Sequence, residues 1–159
     1  MIEATAAFER LVEAHTRHLY CVAFSITRRT AEAEDAVQET MTRAWKVWRR
    51  GPAIENPRAW LTRICVNYCL NRERATWRTL LMDPGDIPRQ PVAAVEDALI
   101  DFDRAYRRLS VQQRAVVALY YQHDHSIEDC ARVLGCRPGT VRSHLARGVE
   151  KLRQELRDD

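Results

Sequence analysis

The chain has 159 residues, of which 46% are apolar and 30% charged, and its formal net charge is +3. This balance favours a folded protein over wholesale disorder, and the charge is too small for a protein that coats DNA by phosphate neutralisation alone. With only five Gly and six Pro, against runs rich in Ala, Leu, Arg and Glu, we predict a nearly all-α fold.

Nothing in the sequence indicates insertion into a membrane. No stretch approaches the roughly 20 apolar residues of a membrane-spanning helix, and acidic Glu3 and Glu9 stand where a signal peptide begins with basic residues. The five cysteines are irregularly spaced and form no disulfide framework. We therefore expect a cytoplasmic protein in a reducing compartment.

Two amphipathic helices are predicted in the first third of the chain. Apolar residues recur at steps of three and four from about Thr5 to Thr27, which predicts the first helix. The second is predicted over roughly 30 to 49, because acidic residues crowd its first turn, basic residues gather at its end, and Gly51-Pro52 terminates it.

A third helix is predicted to begin at Asn56-Pro57, since Asn caps free amides and Pro fits the first helical position. One of its faces is an apolar stripe. The other repeats arginine and asparagine at gaps of four, four, three and four residues, through Arg63, Asn67, Asn71, Arg74 and Arg78. Residues 57–78 carry five arginines against a single glutamate, so this helix presents a basic face.

The helical pattern then fails, and turn-forming residues divide the chain. Asp83-Pro84-Gly85-Asp86, followed by Pro88 and Pro91, indicates a flexible linker. We predict an N-terminal domain over residues 1–79, a linker over 80–94 and a C-terminal domain over 95–159.

The C-terminal part contains the most specific motif of the chain. A helix is predicted from Val95 to Arg107, with Leu99, Phe102 and Tyr106 as apolar anchors. A capping box opens another helix at Ser110, and a weaker cap at Ser126 opens a short helix that ends at Leu134.

The residues from 126 onward meet the steric demands of a helix-turn-helix. Ala131 is small where the helices approach, Gly135 suits the tight turn, Val141 points into the core, and Pro138 fits the first turn of the second helix. The outward positions of that helix carry groups that bind base edges and phosphates: Arg137, Thr140, Arg142, Ser143, His144 and Arg147. A helical hairpin that serves only protein contacts is the alternative.

Three blocks in this order resemble the extracytoplasmic-function (ECF, group IV) sigma factors of RNA polymerase. They are AEAEDAVQETMTRAWKVW (31–48), ENPRAWLTRICVNYCLNRER (55–74) and LSVQQRAVVALYY (109–121) with the helix-turn-helix. The resemblance implies two small helical domains: sigma region 2, a bundle of three to four helices, and sigma region 4. GTVRSHLARG is also similar to the version found in actinobacterial members.

The resemblance also implies roles for the polar faces. The second helix would bind the β′ coiled coil of core polymerase through Asp35, Gln38, Glu39 and Arg43. The third helix would recognise and melt the minus-ten element through Arg63, Asn67, Asn71 and Arg74, next to a loop (50–55) that captures a flipped base. The helix-turn-helix would read the minus-thirty-five element, beside the β flap. An anti-sigma factor is a further expected partner.

Two other classes of protein fit parts of the sequence. An autonomous helix-turn-helix regulator would not explain the Arg/Asn face, and a sigma mimic that titrates a regulator would not need Arg142 or Arg147. His123, His125 and Cys130 match no common zinc spacing, and four of the five cysteines occupy positions predicted to be buried. We expect no metal, no cofactor and no enzymatic activity.

Overall fold

The computed structural model describes residues 1–82 and 97–158, with side chains at 1–75 and 101–158. These residues form seven α-helices and no β-strand. The helices are α1 (Ile2–Thr27), α2 (Thr30–Trp48), α3 (Pro57–Met82), α4 (Asp97–Arg107), α5 (Val111–Val117), α6 (Ile127–Leu134) and α7 (Pro138–Arg157), and a π-helical turn (Ala118–Gln122) continues α5. The all-α prediction is confirmed.

Helices α1 to α3 pack on one another and form what we call the N-terminal unit. The ends of these helices coincide with residues that cap or terminate a helix. Arg28 ends α1 in the left-handed conformation, with φ 57°, and its amide bonds back to the carbonyl of Phe24. Gly51 has φ 76° after α2, and the Asn56 side chain accepts a 3.1 Å hydrogen bond from the amide of Ala59 at the start of α3.

Helices α4 to α7 form the C-terminal unit, in which both predicted caps are present. The Ser110 hydroxyl accepts from the amide of Gln113 and the Gln113 side chain bonds back, which completes the capping box. The Ser126 hydroxyl caps α6 through the amide of Asp129. Of the predicted anchors in α4, Tyr106 is fully buried but Phe102 is 38% exposed, so that part of the prediction is wrong.

The predicted linker (80–94) falls largely outside the described residues. Its first three positions belong to α3, which continues to Met82. In the structure the two units are packed against each other: α3 contacts α5 and α6, and α1 contacts α5 and the π-helical turn. A single apolar cluster runs through both units, and we call the surface where they meet the seam.

Arg114 of α5 is the most connected polar group of the seam. Its side chain is buried, and its guanidinium donates to the carbonyl of Ile26 at 2.8 Å and to that of Leu109 at 2.9 Å. It also lies 3.7 Å from a carboxylate oxygen of Glu73 in α3. Ile26 lies in the last turn of α1, so the cation neutralises the negative end of that helix as well as the carboxylate.

Further polar contacts surround Arg114. The buried Tyr106 hydroxyl lies 2.8 Å from the carbonyl oxygen of Ser25 and 3.0 Å from that of Arg114, and burial raises the pKa of Tyr106 to about 12. Arg28 forms an ion pair across the seam with Asp103, which also pairs with Arg107 at 2.7 Å. Within the described residues, no buried side-chain nitrogen or oxygen lacks a hydrogen-bond partner.

Replacing Arg114 with Met will lower the free energy of unfolding by about 3 kcal/mol, because it leaves Glu73 without its cation and two buried carbonyls without their donor. Urea unfolding followed by circular dichroism measures the loss. Arg108→Met is the matched control, since Arg108 is 61% exposed in its pair with Glu155, and its effect will stay within about 0.5 kcal/mol. Equal effects of the two substitutions would contradict the role given to Arg114.

Candidate nucleic-acid interface

The helix-turn-helix that presents α7 is built around Gly135. This residue has φ 65°, a left-handed conformation that glycine adopts without strain, and it ends α6. Its neighbour Cys136 donates its amide to the carbonyl of Ala131 at 3.1 Å. Pro138 then occupies the first turn of α7, and Val141 is fully buried against the other helices. The turn therefore sets the direction in which α7 leaves the core.

Of the six residues predicted to read DNA, five are exposed and the sixth, His144, is half-buried. Arg137 precedes the helix as its N-cap, with extended backbone. Arg142 lies only 3.9 Å from a carboxylate oxygen of Glu128, and both side chains are 62% exposed. Such a solvated pair is weak, so the guanidinium can exchange Glu128 for a phosphate or a base edge.

The Arg/Asn repeat lies on one face of α3, because its four described members fall within about 80° around an unbroken helix. Arg63, Asn71 and Arg74 are exposed and Asn67 is half-buried. Arg78 is outside the described side chains. Guanidinium and carboxamide groups on one ridge hydrogen-bond both to phosphates and to the edges of unpaired bases.

A cleft of about 420 Å³ separates the start of α3 from α6. Arg58, Trp60 and Arg63 line its α3 side, and His125 and Arg132 line the other. Arg63, the first residue of the Arg/Asn face, therefore lies across this cleft from α6 of the helix-turn-helix.

The polar surface predicted on α2 is present and reaches α3. Asp35, Gln38 and Arg43 are exposed and Glu39 is half-buried. Arg43 pairs with Glu39 at 2.8 Å, and its guanidinium carbon lies 5.2 Å from the ring centroid of Tyr68 on α3.

Two residues that the sequence analysis missed extend this surface. Arg72 lies 3.7 Å from a carboxylate oxygen of Asp35 and donates to the Tyr68 hydroxyl at 3.0 Å. Helical spacing places Tyr68 on the apolar stripe of α3, but it is half-buried and its hydroxyl is part of this network. The sequence pattern of α2 could not reveal these two residues, because they lie on α3 and meet the α2 surface only in the folded chain.

The cysteines mostly behave as small apolar residues. The four cysteines predicted to be buried are Cys65, Cys69, Cys130 and Cys136. The first three are buried, whereas Cys136 is half-buried, and the fifth cysteine, Cys21, is exposed. In the described residues, no group of His, Cys, Asp and Glu is arranged to hold a metal ion. The described helices also include none that is long and apolar enough to cross a membrane.

Comparison with known families identifies both units. The model described as Sigma-70 region 2 matches residues 11–79, and that described as Sigma-70, region 4 matches residues 99–152. The ECF RNA polymerase sigma factor SigM of Mycobacterium tuberculosis is 36% identical over 94% of this chain and 77% of that protein. SigL of the same species is 35% identical over 98% of this chain and 92% of that protein.

Solved structures agree with the sequence comparison. The chain is similar to the sigma factor RpoE in its co-crystal with the anti-sigma factor NepR from Bartonella quintana, with a TM-score of 0.77 and 27% identity over 96% of this chain and 98% of that chain. It is also similar to CnrH in complex with the cytosolic domain of CnrY, with a TM-score of 0.67 and 25% identity over 98% and 90% of the two chains.

Replacing Gly135 with Ala will lower the stability of the folded chain by about 1 kcal/mol, because a side chain is strained at φ 65°. Gly139→Ala is the matched control: Gly139 lies in α7 with open space around its Cβ position, so stability will be unchanged or raised by up to about 1 kcal/mol. Thermal unfolding of both variants checks the difference. The same loss in both would show that the turn conformation is not the cause.

Proposed function

Since the chain belongs to the ECF RNA polymerase sigma factors, we propose that it directs core RNA polymerase to promoters through three surfaces of its own. These are the outward face of α7, the Arg/Asn face of α3 and the polar surface of α2. The observation that carries the proposal is that two exposed arginine-bearing faces lie on helices of different units. A regulator that binds DNA through a single motif has no use for the second face.

The α7 face binds duplex DNA at the minus-thirty-five element. Arg137, Arg142 and Arg147 bring positive charge, and Thr140, Ser143 and His144 add groups that hydrogen-bond to bases and phosphates. The exposure of five of these six side chains supports this role. A guanidinium gives its strongest discrimination as a bidentate donor to guanine, so the arginines determine which bases are preferred.

The α3 face binds the minus-ten element and helps to open it. Arg63 and Arg74 would hold the phosphates of one strand, while Asn67 and Asn71 would hydrogen-bond to bases that have left the stack. Unstacking costs a few kcal/mol per base, which contacts to the separated strand must offset. The loop of residues 50–55 lies immediately before α3 and is suited to hold a flipped base.

The α2 surface binds core polymerase. Asp35, Gln38, Glu39 and Arg43 provide carboxylate, amide and guanidinium groups on one side of a helix whose other side packs in the N-terminal unit. We propose the β′ coiled coil as its partner, with the C-terminal unit held near the β flap. Because both DNA-binding faces are then fixed on one enzyme, their contributions combine through effective concentration.

The chain acts in the cytoplasm as a specificity subunit and is not itself a catalyst. We also propose that an anti-sigma factor binds it. The two similar solved structures are of a sigma factor with an anti-sigma factor and of CnrH with the cytosolic domain of CnrY, and both cover at least 96% of this chain.

Replacing Arg142 and Arg147 together with Ala will reduce run-off transcription by core polymerase and the chain at least roughly tenfold, because two phosphate or base contacts are lost. Arg153→Ala with Arg157→Ala is the matched control: it removes the same charge from the exposed far end of α7, and output will stay within about twofold. Unchanged transcription with the first variant would exclude promoter reading by this face. No transcription on genomic fragments with the unaltered chain would overturn the proposed function.

Charge reversal at Asp35 (Asp35→Arg) will weaken binding to core polymerase about tenfold, since it places a like or unmatched charge in the contact. Glu34→Arg makes the same change one residue earlier, at an exposed position outside the predicted surface, and will leave affinity unchanged. Fluorescence anisotropy of the labelled chain titrated with core enzyme measures both. If Glu34→Arg weakens binding as much as Asp35→Arg, the overall charge of α2 determines the affinity, and the proposed contact surface is contradicted.

A further inference from the structure

Histidines from both units meet at the seam. His18 of α1 and His123, which follows the π-helical turn, lie edge to face with ring centroids 5.7 Å apart. Both rings are half-buried. The first belongs to the N-terminal unit and the second to the C-terminal unit, so the contact exists only while the units are packed together.

The hydrogen bonds of His18 require a neutral ring. A terminal guanidinium nitrogen of Arg58 lies 3.2 Å from Nδ1, and because a guanidinium only donates, Nδ1 must be the unprotonated acceptor. Nε2 lies 3.0 Å from the Thr62 hydroxyl oxygen, to which it donates. The Thr62 hydroxyl gives its own hydrogen to the carbonyl of Arg58. A second proton on His18 would therefore break the Arg58 bond and set two cations against each other.

The other groups around the pair add to this constraint. From α1, His15 lies one turn before His18, and the Ser25 hydroxyl lies 3.5 Å from Nε2 of His123. From the C-terminal unit, His125 acts on both rings, and the carboxylate of Asp124 favours the charged form of His123. Protonation of both rings would thus add two positive charges beside the guanidinium of Arg58.

We propose that His18 and His123 form a proton-sensitive latch, which holds the two units together while both rings are neutral and releases them when the rings gain protons. The released form is the one that fits a promoter. In the closed form α3 and α6, the helix that precedes α7, are in contact. One turn of duplex already spans about 34 Å. This step rests on the function proposed above, in which the resemblance to sigma factors implies elements one to two turns apart.

The direction of the pH dependence follows from the ring environments. Burial, then Arg58 and His123, lower the pKa of His18 to about 4, and burial also lowers the pKa of His123. A depressed histidine pKa stabilises the closed form fully above pH 6.5 and progressively less as pH falls toward 4. By pH 5 the His18 shift alone weakens closure by up to about 30-fold; Arg58 stays beside His18 after opening, so this is an upper limit.

The carboxylates of the seam do not produce the same effect. Burial raises the pKa of Glu73 despite the nearby Arg114, so acidification favours the closed form at this residue. Burial of Asp103 is outweighed by hydrogen bonds from Arg107 and Arg28, which lower its pKa below 3.8, outside the range of the test. Separation of the two units between pH 7.5 and pH 5 would therefore be caused by protonation of the histidines.

Single-molecule fluorescence energy transfer tests the latch in the full chain, with dyes attached at exposed Glu13 in α1 and exposed Gln154 in α7. The ratio of closed to open molecules will fall by about ten- to 30-fold from pH 7.5 to pH 5. The double variant His18→Gln, His123→Gln keeps an acceptor and a donor at each position but cannot be protonated, so its ratio will not fall. The single variant His123→Gln will show an intermediate dependence.

His144→Gln is the matched control, because it removes a histidine of α7 away from the seam, and it will keep the full pH dependence. Circular dichroism at pH 7.5 verifies that each variant is folded. A ratio in the unaltered chain that does not change with pH would overturn the latch, as would an equal fall in the double variant. Neither result bears on promoter recognition, which the transcription experiments test separately.

Discussion

The arrangement of the two units depends on one buried cation. Arg114 binds the last carbonyls of α1 through Ile26 and the turn after α4 through Leu109, and it faces Glu73 of α3. Helix ends leave carbonyls without partners, and such groups are costly when buried. A cation with several donors satisfies them together, and its own burial, which lowers the pKa of Arg114, is offset by Glu73. The same contact therefore completes α1, positions α5 and joins the units.

A seam built in this way can be opened. Its polar groups exchange partners for water, since Asp103, Glu73 and the histidines are only partly buried. Domains of one chain are expected to move apart when a partner binds one of them better, unless their interface is large and hydrophobic. In the function proposed above, the α3 and α7 faces would reach DNA elements more than one turn apart after such separation. In that proposal, the packing of the two units in the free chain competes with the contacts that the chain makes to a promoter.

Local features could be predicted from the sequence because their partners are close along the chain. The caps at Ser110 and Ser126 and the turn at Gly135 involve residues three to five positions apart, and each is confirmed. The seam could not be predicted, because Arg114 meets Ile26 across 88 positions and no periodicity records such a pairing. Phe102 and Tyr106 show the same limit. Both are aromatic and lie one turn apart in α4, yet only Tyr106 is buried, with its hydroxyl bonded across the seam to the carbonyl of Ser25.

The proposed site residues need free polar groups, whereas the seam residues need polar groups that are bonded within the protein. On α7, Arg142, Arg147 and Thr140 are exposed, so their polar groups are available to DNA and their replacement has little effect on folding. Arg114 is also an arginine on a helix, but its donors are occupied by the protein itself. Basic composition alone therefore does not identify a DNA-binding face; the availability of the donors does. By that criterion the availability of the α3 face depends on whether the two units are packed together, because Arg63 lines the cleft between the start of α3 and α6.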